Sequence, residues 1–301
     1  MATNDRDWLA ARFEEHRARL RGIAYRMLGS TTEADDAVQD AWLRLNRSDS
    51  SEVENLGGWL TTVVSRLCLD ALRSRASRRE DSMEVHLPDL VVSGSGEASP
   101  EHEAELAESV GVALLVVLDT LTPAERLAFV LHDTFGLPFD QIARIVDRSP
   151  TATRQLASRA RRRVRGSVAP TDVSPARQRE LIDAFIAAAR GGDFEALLRI
   201  LAPGIVARAD TGVGPSPLGP SRVIRGSEAV ARQALAFRQL APNARPAIVN
   251  GAAGLVVFAA GRPFAVLGFE FRGDQIVELD ILAAPDRLAR LDLSLVVAPG
   301  A

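Results

Sequence analysis

Apolar residues recur at helical spacing through the first half of the chain and alternate in short, strand-like runs towards its end. Phe13, His16, Leu20, Ile23, Ala24 and Met27 form one stripe that stops at Gly29, a residue suited to ending a helix. Glu33–Asn46, EADDAVQDAWLRLN, predicts a second helix with Thr31 or Thr32 as its cap and acids in its first turn. Ala34, Val38, Ala41 and Leu45 face inward in that helix. Asp35, Asp36, Gln39, Asp40 and Leu43 are left outside, with Trp42 at the margin, as a solvated face or a surface for an arginine-rich partner. After the loop SDSSEVENLGG, Leu60, Val63, Val64, Leu67 and Ala71 predict a third helix whose far end, DALRSRASRRE, is basic. Trp59 at its start reads either as a core anchor or as a platform for an unpaired base.

Residues 81–103 mix Pro, Gly, Ser and acids with little period and read as a linker, with some order around Val85–Val92. A second helical block, 104–168, follows: Ala104–Thr120, then LTPAERLAFVLHD with Thr122 as cap and Pro123 just inside it, then a helix pair. In that pair, Phe139, Ile142, Ala143 and Val146 make one apolar stripe, Arg148-Ser149-Pro150 breaks the helix, and Ser149 or Thr151 can cap the next. The last helix turns Thr153, Leu156, Ala157, Ala160 and Val164 inward. Its other side carries Thr151, Arg154, Gln155, Ser158, Arg159 and Arg162, flanked by Arg161 and Arg165. Arg matches guanine edges, Gln adenine edges, and spare positive charge phosphates, so this face suits a major groove. The competing reading is a solvated face that complements the helix dipole.

GSVAPTDVSP marks a second boundary, after which 175–301 changes to an α+β pattern. Helices are expected at ARQRELIDAFIAAARGGD, FEALLRILA, Ser227–Leu240 and Asp286–Leu291. Strands are expected at GIVARAD, ARPAIVN, GLVVFAAG, PFAVLGFEF and QIVELDIL. Helices against a curved sheet leave a mouth that can take a small ligand or an active site. Its acid–base candidates are Asp210, Glu270 and Asp280, without evident partners, and carboxylates at strand ends are commonly just solvated. The four histidines (His16, His86, His102, His132), Cys68, Tyr25 and all three tryptophans lie outside this domain, so an enzyme is not expected.

Composition narrows the partners. A net charge of −3 argues against a protein that coats nucleic acid indiscriminately. Positive charge is instead local, in Arg154–Arg165 and in Arg73, Arg75, Arg78 and Arg79, and all 36 Lys-or-Arg positions are arginine. A single cysteine, Cys68, excludes an internal disulfide and reads as a buried thiol. The N-terminal MATNDRDWLAARFEE has no apolar signal region and no run is long enough to span a bilayer, so a cytoplasmic protein without cofactor or metal is expected.

In order and spacing, EADDAVQDAWLRL, GGWLTTVVSRLCLDALRSR and LTPAERLAFVLHDTFGLPFDQIARIVDRSPTATRQLASRARRRV resemble the extracytoplasmic-function sigma factors, group 4 of the sigma-70 family of bacterial RNA polymerase. The resemblance covers 8–168. In that family the first module binds the polymerase β′ clamp and reads and melts the −10 element, while the second reads the −35 element. The resemblance implies a core-polymerase face at Asp35, Asp36, Gln39, Asp40 and Leu43, and −10 contacts at Trp59, Arg66, Asp70 and Arg73. It implies −35 contacts at Thr151, Arg154, Gln155, Ser158, Arg159 and Arg162. Residues 175–301 resemble a SnoaL-like, nuclear-transport-factor-2-like cone, which one subgroup of these factors carries at its C-terminus. The implied architecture is two all-α modules (8–80 and 104–168) followed by an α+β cone.

Three motifs of the subgroup have altered counterparts in this chain. Asp210-Thr211-Gly212-Val213-Gly214 lacks the motif's lysine, the linker motif reads His86-Leu87-Pro88-Asp89-Leu90, and the C-terminal motif reads Ala284-Pro285-Asp286-Arg287-Leu288. By resemblance Asp210, Gly212, Gly214, Pro285, Asp286 and Leu288 take part in regulating the sigma modules in cis. Two other readings fit less of the chain. A helix-turn-helix regulator with a small-ligand-binding cone leaves the −10-type module unexplained, and a SnoaL-type enzyme lacks the histidines.

Overall fold

The computed structural model describes residues 3–47, 55–78, 87–94, 111–167, 173–212 and 216–296. The chain divides into two compact units, 1–82 with 115–168, and 83–114 with 169–301.

The first unit is all helix. Helix α1 (Thr3–Leu28) ends where Gly29 turns left-handed at φ 69°, and α2 (Thr31–Arg47) starts at once. So abrupt a restart moves the cap back one residue from the expected threonines: the Ser30 hydroxyl accepts the Glu33 N–H at 3.4 Å. Helix α3 (Leu56–Arg78) buries Leu60, Val64, Ser65, Cys68, Leu69 and Leu72, whereas Val63, Leu67 and Ala71 of the expected stripe are half-buried. The stripe rotates because α3 is covered on two sides, by α1 and α2 and by helices of the second block. Burial pushes the Cys68 thiol up to about 12, which makes it inert at neutral pH.

The second helical block comprises α4 (Val112–Asp119), α5 (Pro123–Phe129) running into a π turn (Val130–Thr134), α6 (Phe139–Val146) and α7 (Pro150–Ser167). Thr122 and Glu125 form a reciprocal capping box at the start of α5. Next to it Arg126, 2% exposed, pairs with Asp119 and donates from Nε to the Arg26 carbonyl at 3.0 Å, tying α5 to α1. His132 accepts a structural role, its Nδ1 2.8 Å from the Leu137 carbonyl and its ring stacked on Phe139 at 3.8 Å.

The second unit is a seven-stranded sheet, order β1-β4-β5-β6-β7-β2-β3, antiparallel except for the β2–β7 pair. Strands β2 (Leu201–Asp210), β4 (Ala244–Val249), β5 (Ala252–Ala259), β6 (Arg262–Arg272) and β7 (Gln275–Leu282) match the expected runs. Two short strands were not expected, β1 (Val92–Gly94) from the linker and β3 (Arg222–Arg225). Helices α8 (Pro175–Gly191), α9 (Phe194–Ile200) and α10 (Ser227–Ala236) pack on one face, where Phe185, Leu197, Val230, Leu255 and Phe269 share a core. The last helix, α11, covers Pro285–Leu288 only. On the opposite face Gly268 lies so close to the chain at Val112 that an added Cβ would sit 3.2 Å from its methyl group.

Candidate nucleic-acid interface and C-terminal domain

The exposed surface of α7 is made by the turn that precedes it. Helix α6 stops at Asp147, left-handed at φ 55°, whose N–H bonds the Ala143 carbonyl. The Ser149 hydroxyl then accepts the Ala152 N–H at 3.2 Å and its carbonyl the Thr153 N–H at 2.9 Å, so Ser149 is the cap. Thr153, Ala157 and Ala160 are fully buried, small residues that let α7 lie close to its neighbours. Thr151, Arg154, Gln155, Ser158, Arg159 and Arg162 are all exposed.

The arginines of α7 fall into two groups. Glu125 reaches from α5 with one oxygen 3.1 Å from Arg159 Nε and the other 2.7 Å from Arg163 Nη1, while Asp133 holds Arg161 Nε at 2.5 Å. Burial works against the charge on Glu125, but hydrogen bonds from Thr122 and the two arginines prevail and hold its carboxyl below the usual range. Arg154 lies over the Phe139 ring at 5.6 Å, and neither it nor Arg162 forms an ion pair among the described residues. The side chain of Arg165 lies outside the described residues.

On α2, Asp36, Gln39 and Asp40 are exposed beside Leu43, an apolar side chain 42% exposed, while Asp35 is held by Arg21 at 2.7 Å. On α3, Trp59 is half-buried, and Asp70 sits 3.7 Å from Arg73. Arg66 is exposed, and its Nη2 donates to the Arg144 carbonyl of α6 at 3.2 Å.

These two helical segments match known families: residues 12–78 match Sigma-70 region 2 and residues 111–164 match Sigma-70, region 4. The probable ECF RNA polymerase sigma factor SigI of Mycobacterium tuberculosis is 40% identical over 220 residues, 72% of this chain and 75% of that protein. The chain belongs to the extracytoplasmic-function RNA polymerase sigma factors. SigJ of the same species is 38% identical over 276 residues, 89% of this chain and 86% of the relative. The crystal structure of SigJ superposes with a TM-score of 0.75 at 33% identity, covering 94% of this chain and 99% of that one. The sigma factor described here therefore has two helical sigma modules and a C-terminal α+β domain.

In that C-terminal domain three segments distant in sequence meet at one buried carboxylate. Asp210, at the end of β2, accepts the Leu87 N–H at 3.0 Å, the Gly212 N–H at 3.1 Å and Arg287 Nη1 at 2.5 Å. Arg287 also holds Asp89 at 2.8 Å through Nη2. Leu87 and Leu90 are buried, and Asn250 clasps Val91 with two bonds of 2.8 Å, side chain to its N–H and N–H to its carbonyl. Gly212 is left-handed at φ 71°, and a Cβ there would meet Ala284 at 3.0 Å, so glycine is required twice over. Pro285 opens α11, Asp286 is exposed and Leu288 is buried, while Gly214 lies outside the described residues. Arg287 and Asp89, the centre of this knot, stand inside the altered C-terminal and linker motifs but were given no role of their own from the sequence.

The other acid–base candidates sit on the sheet face away from the helices. Arg208 bridges Glu278 at 2.7 Å and Asp280 at 3.1 Å, and Glu270 lies opposite Glu278 in the ladder. Burial pushes the Asp280 carboxyl up to about 7, outweighing the attraction of Arg208 and reinforced by Glu278 and Glu270. Among the described residues no group of three His, Cys, Asp or Glu is placed to hold a metal ion, and no helix is long and apolar enough to cross a membrane.

Proposed function

We propose that this sigma factor docks on core polymerase through Asp35, Asp36, Gln39, Asp40 and Leu43 of α2, and engages the −10 strand with Trp59, Arg66, Asp70 and Arg73. The −35 element is read by Thr151, Arg154, Gln155, Ser158, Arg159 and Arg162 of α7. The observation that carries this reading is the division of α7, with fully buried Thr153, Ala157 and Ala160 behind and an uninterrupted polar, cationic face in front. Such a helix can lie in a major groove with arginine and glutamine on base edges while neighbouring arginines meet phosphates. In this reading residues 8–80 and 104–168 are the working modules, and Arg66 exchanges the Arg144 carbonyl for DNA. The work is positional, in the cytoplasm, with catalysis left to the polymerase.

The C-terminal domain acts on those modules in cis, and residues 81–103 are the chain through which it does so. Supporting this is the knot at Asp210: residues 87–94 follow the first module directly in sequence yet are bonded into the sheet through Asp210, Asn250 and Arg287. Gly212, Pro285, Asp286 and Leu288 complete that holding surface, with the same role proposed for Gly214 from the sequence.

Reconstitution with core polymerase tests the reading. The full chain should co-elute with core enzyme and direct transcription from one cognate promoter, and the double variant Asp36→Arg, Asp40→Arg should lose co-elution while keeping its helical circular dichroism. Normal co-elution of the double variant would reject the docking face, and absence of any promoter-directed product from the wild type would reject the whole assignment.

A further inference from the structure

The helix-covered face of the C-terminal sheet encloses a cavity of about 120 Å³ that opens to solvent at its mouth. A dry apolar cavity of about 150 Å³ is enough to bind a small hydrocarbon, and here the open mouth leaves room for a longer chain. Its floor is small, Ala207 and Ala209 of β2, and its sides are large apolar groups such as Phe237, Phe264, Leu267 and Ile281. These four are only half-buried although they belong to the apolar interior. Water in such a space finds few partners, and an empty one forfeits dispersion contacts along its whole lining.

Among the described lining residues two are polar, Arg222 and Gln233. Arg222 pairs across the β2–β3 ladder with Ala209, as Ile224 does with Ala207, so it shares the cavity face with the two alanines. Gln233 lies one turn after Val230 and one turn before Phe237 on α10, on the inward stripe where an apolar residue would be expected. Arg222 Nη1 donates to the Leu218 carbonyl at 2.7 Å, and the side chain forms no ion pair with any described residue. The Gln233 side chain makes no hydrogen bond among the described residues. Among the described residues no acid lines the cavity. Asp210, Glu270 and Asp280 are not among its lining residues.

We propose that this cavity binds an apolar monocarboxylic acid, a medium-chain fatty acid or an aryl-substituted acid of similar bulk. Its carboxylate pairs with the free edge of the Arg222 guanidinium, the Gln233 amide supplies a second donor, and the hydrocarbon fills the space between Phe237, Phe264 and Leu267. An arginine with an apolar surround favours one carboxylate strongly, since the planar fork and the low local polarity both strengthen the pair. A cation meets no acid in the cavity, and a sugar or a dianion would bury polar groups without partners. Binding is read on the protein alone, so its failure would leave the polymerase and promoter assignments untouched, and theirs would leave it untouched.

Calorimetric titration of the full chain with decanoic acid and with decan-1-ol at pH 8 tests the proposal. One saturable site is expected, with the acid bound at least about tenfold more tightly than the alcohol. Arg222→Met should remove that preference and leave the alcohol's affinity within about threefold, because only the charged contact is lost. Arg222→Lys, which keeps the charge without the planar fork, should fall between and serves if the methionine variant unfolds. Ala234→Phe fills the cavity from α10 and should abolish binding of both compounds, with thermal midpoints checking that each variant is folded. No saturable binding of decanoic acid to the wild type, equal affinity for acid and alcohol, or undiminished binding by folded Ala234→Phe would each overturn it.

Discussion

Single carboxylates decide much of the chemistry of the C-terminal domain, and two of them behave oppositely. Asp210 is buried but satisfied by backbone N–H groups and Arg287. Asp280 shares Arg208 with Glu278, near Glu270, and burial lifts its carboxyl to about 7 from an ordinary 3.8. A folded-state value above the unfolded one means that the stability it contributes is full below about pH 4 and lost as pH rises through about 7. The difference in unfolding free energy between wild type and Asp280→Asn should therefore slope across that window, by roughly 2–4 kcal/mol in favour of the variant at the alkaline end. Denaturant titrations at pH 4, 5, 6, 7 and 8 would reveal it; a flat difference would mean that Asp280 is ionised throughout. Neither carboxylate's role was legible from its neighbours in sequence. Arg287 stands 77 residues from Asp210 and 198 from Asp89, and no local pattern announces a pairing at that range.

At the scale of elements, legibility followed length and periodicity. Helix α7 was readable because Thr153, Ala157 and Ala160 repeat at helical spacing against arginines on the other side. Strands β1 and β3, three and four residues long, were not, since Val92-Ser93-Gly94 has no alternation of its own and becomes a strand only against β4. The acidic buttress behind α7 was equally hidden, because Glu125 looks like an ordinary capping-box acid until Arg159 and Arg163 are folded against it. That buttress gives the helix two kinds of arginine. Arg162→Ala should cost about 1–3 kcal/mol in promoter affinity if the side chain is bidentate to guanine, and should relax sequence preference at one position. Glu125→Gln should instead weaken binding by a smaller amount, partly promoter-specific as Arg159 loses its orientation and partly even over sequences as Arg163 does. Fluorescence anisotropy on promoter and scrambled duplexes at one salt concentration separates these outcomes.

For the whole molecule, the division between units does not follow the order of the chain. Residues 83–114 belong with 169–301, although sigma region 4 lies between them in sequence. A hinge for cis regulation is thus better sought at Arg287 than at the boundary GSVAPTDVSP. Arg287→Ala should free Asp89, loosen residues 87–94 and change promoter-directed output at saturating core polymerase, with amide hydrogen exchange rising at Leu87–Val91. Exchange that rises without any change in output would make the knot purely structural. A mouth in the cone was expected from the sequence, but its lining was not legible, for Ala207, Ala209 and Ala234 look like any closely packed alanines until the space before them is seen.

The pairing of β1 with β4 also sets a clock on synthesis. Val91 must wait for Asn250, 159 positions later, before either half of their clasp exists. A ribosome adding about 5–20 residues per second needs on the order of ten seconds to cover that distance. The first helical module is made before that interval and the second within it, both ahead of the strands that will claim the segment joining them. In every newly made copy the segment at Val91 is therefore tied down last, after the helices on either side of it have been made.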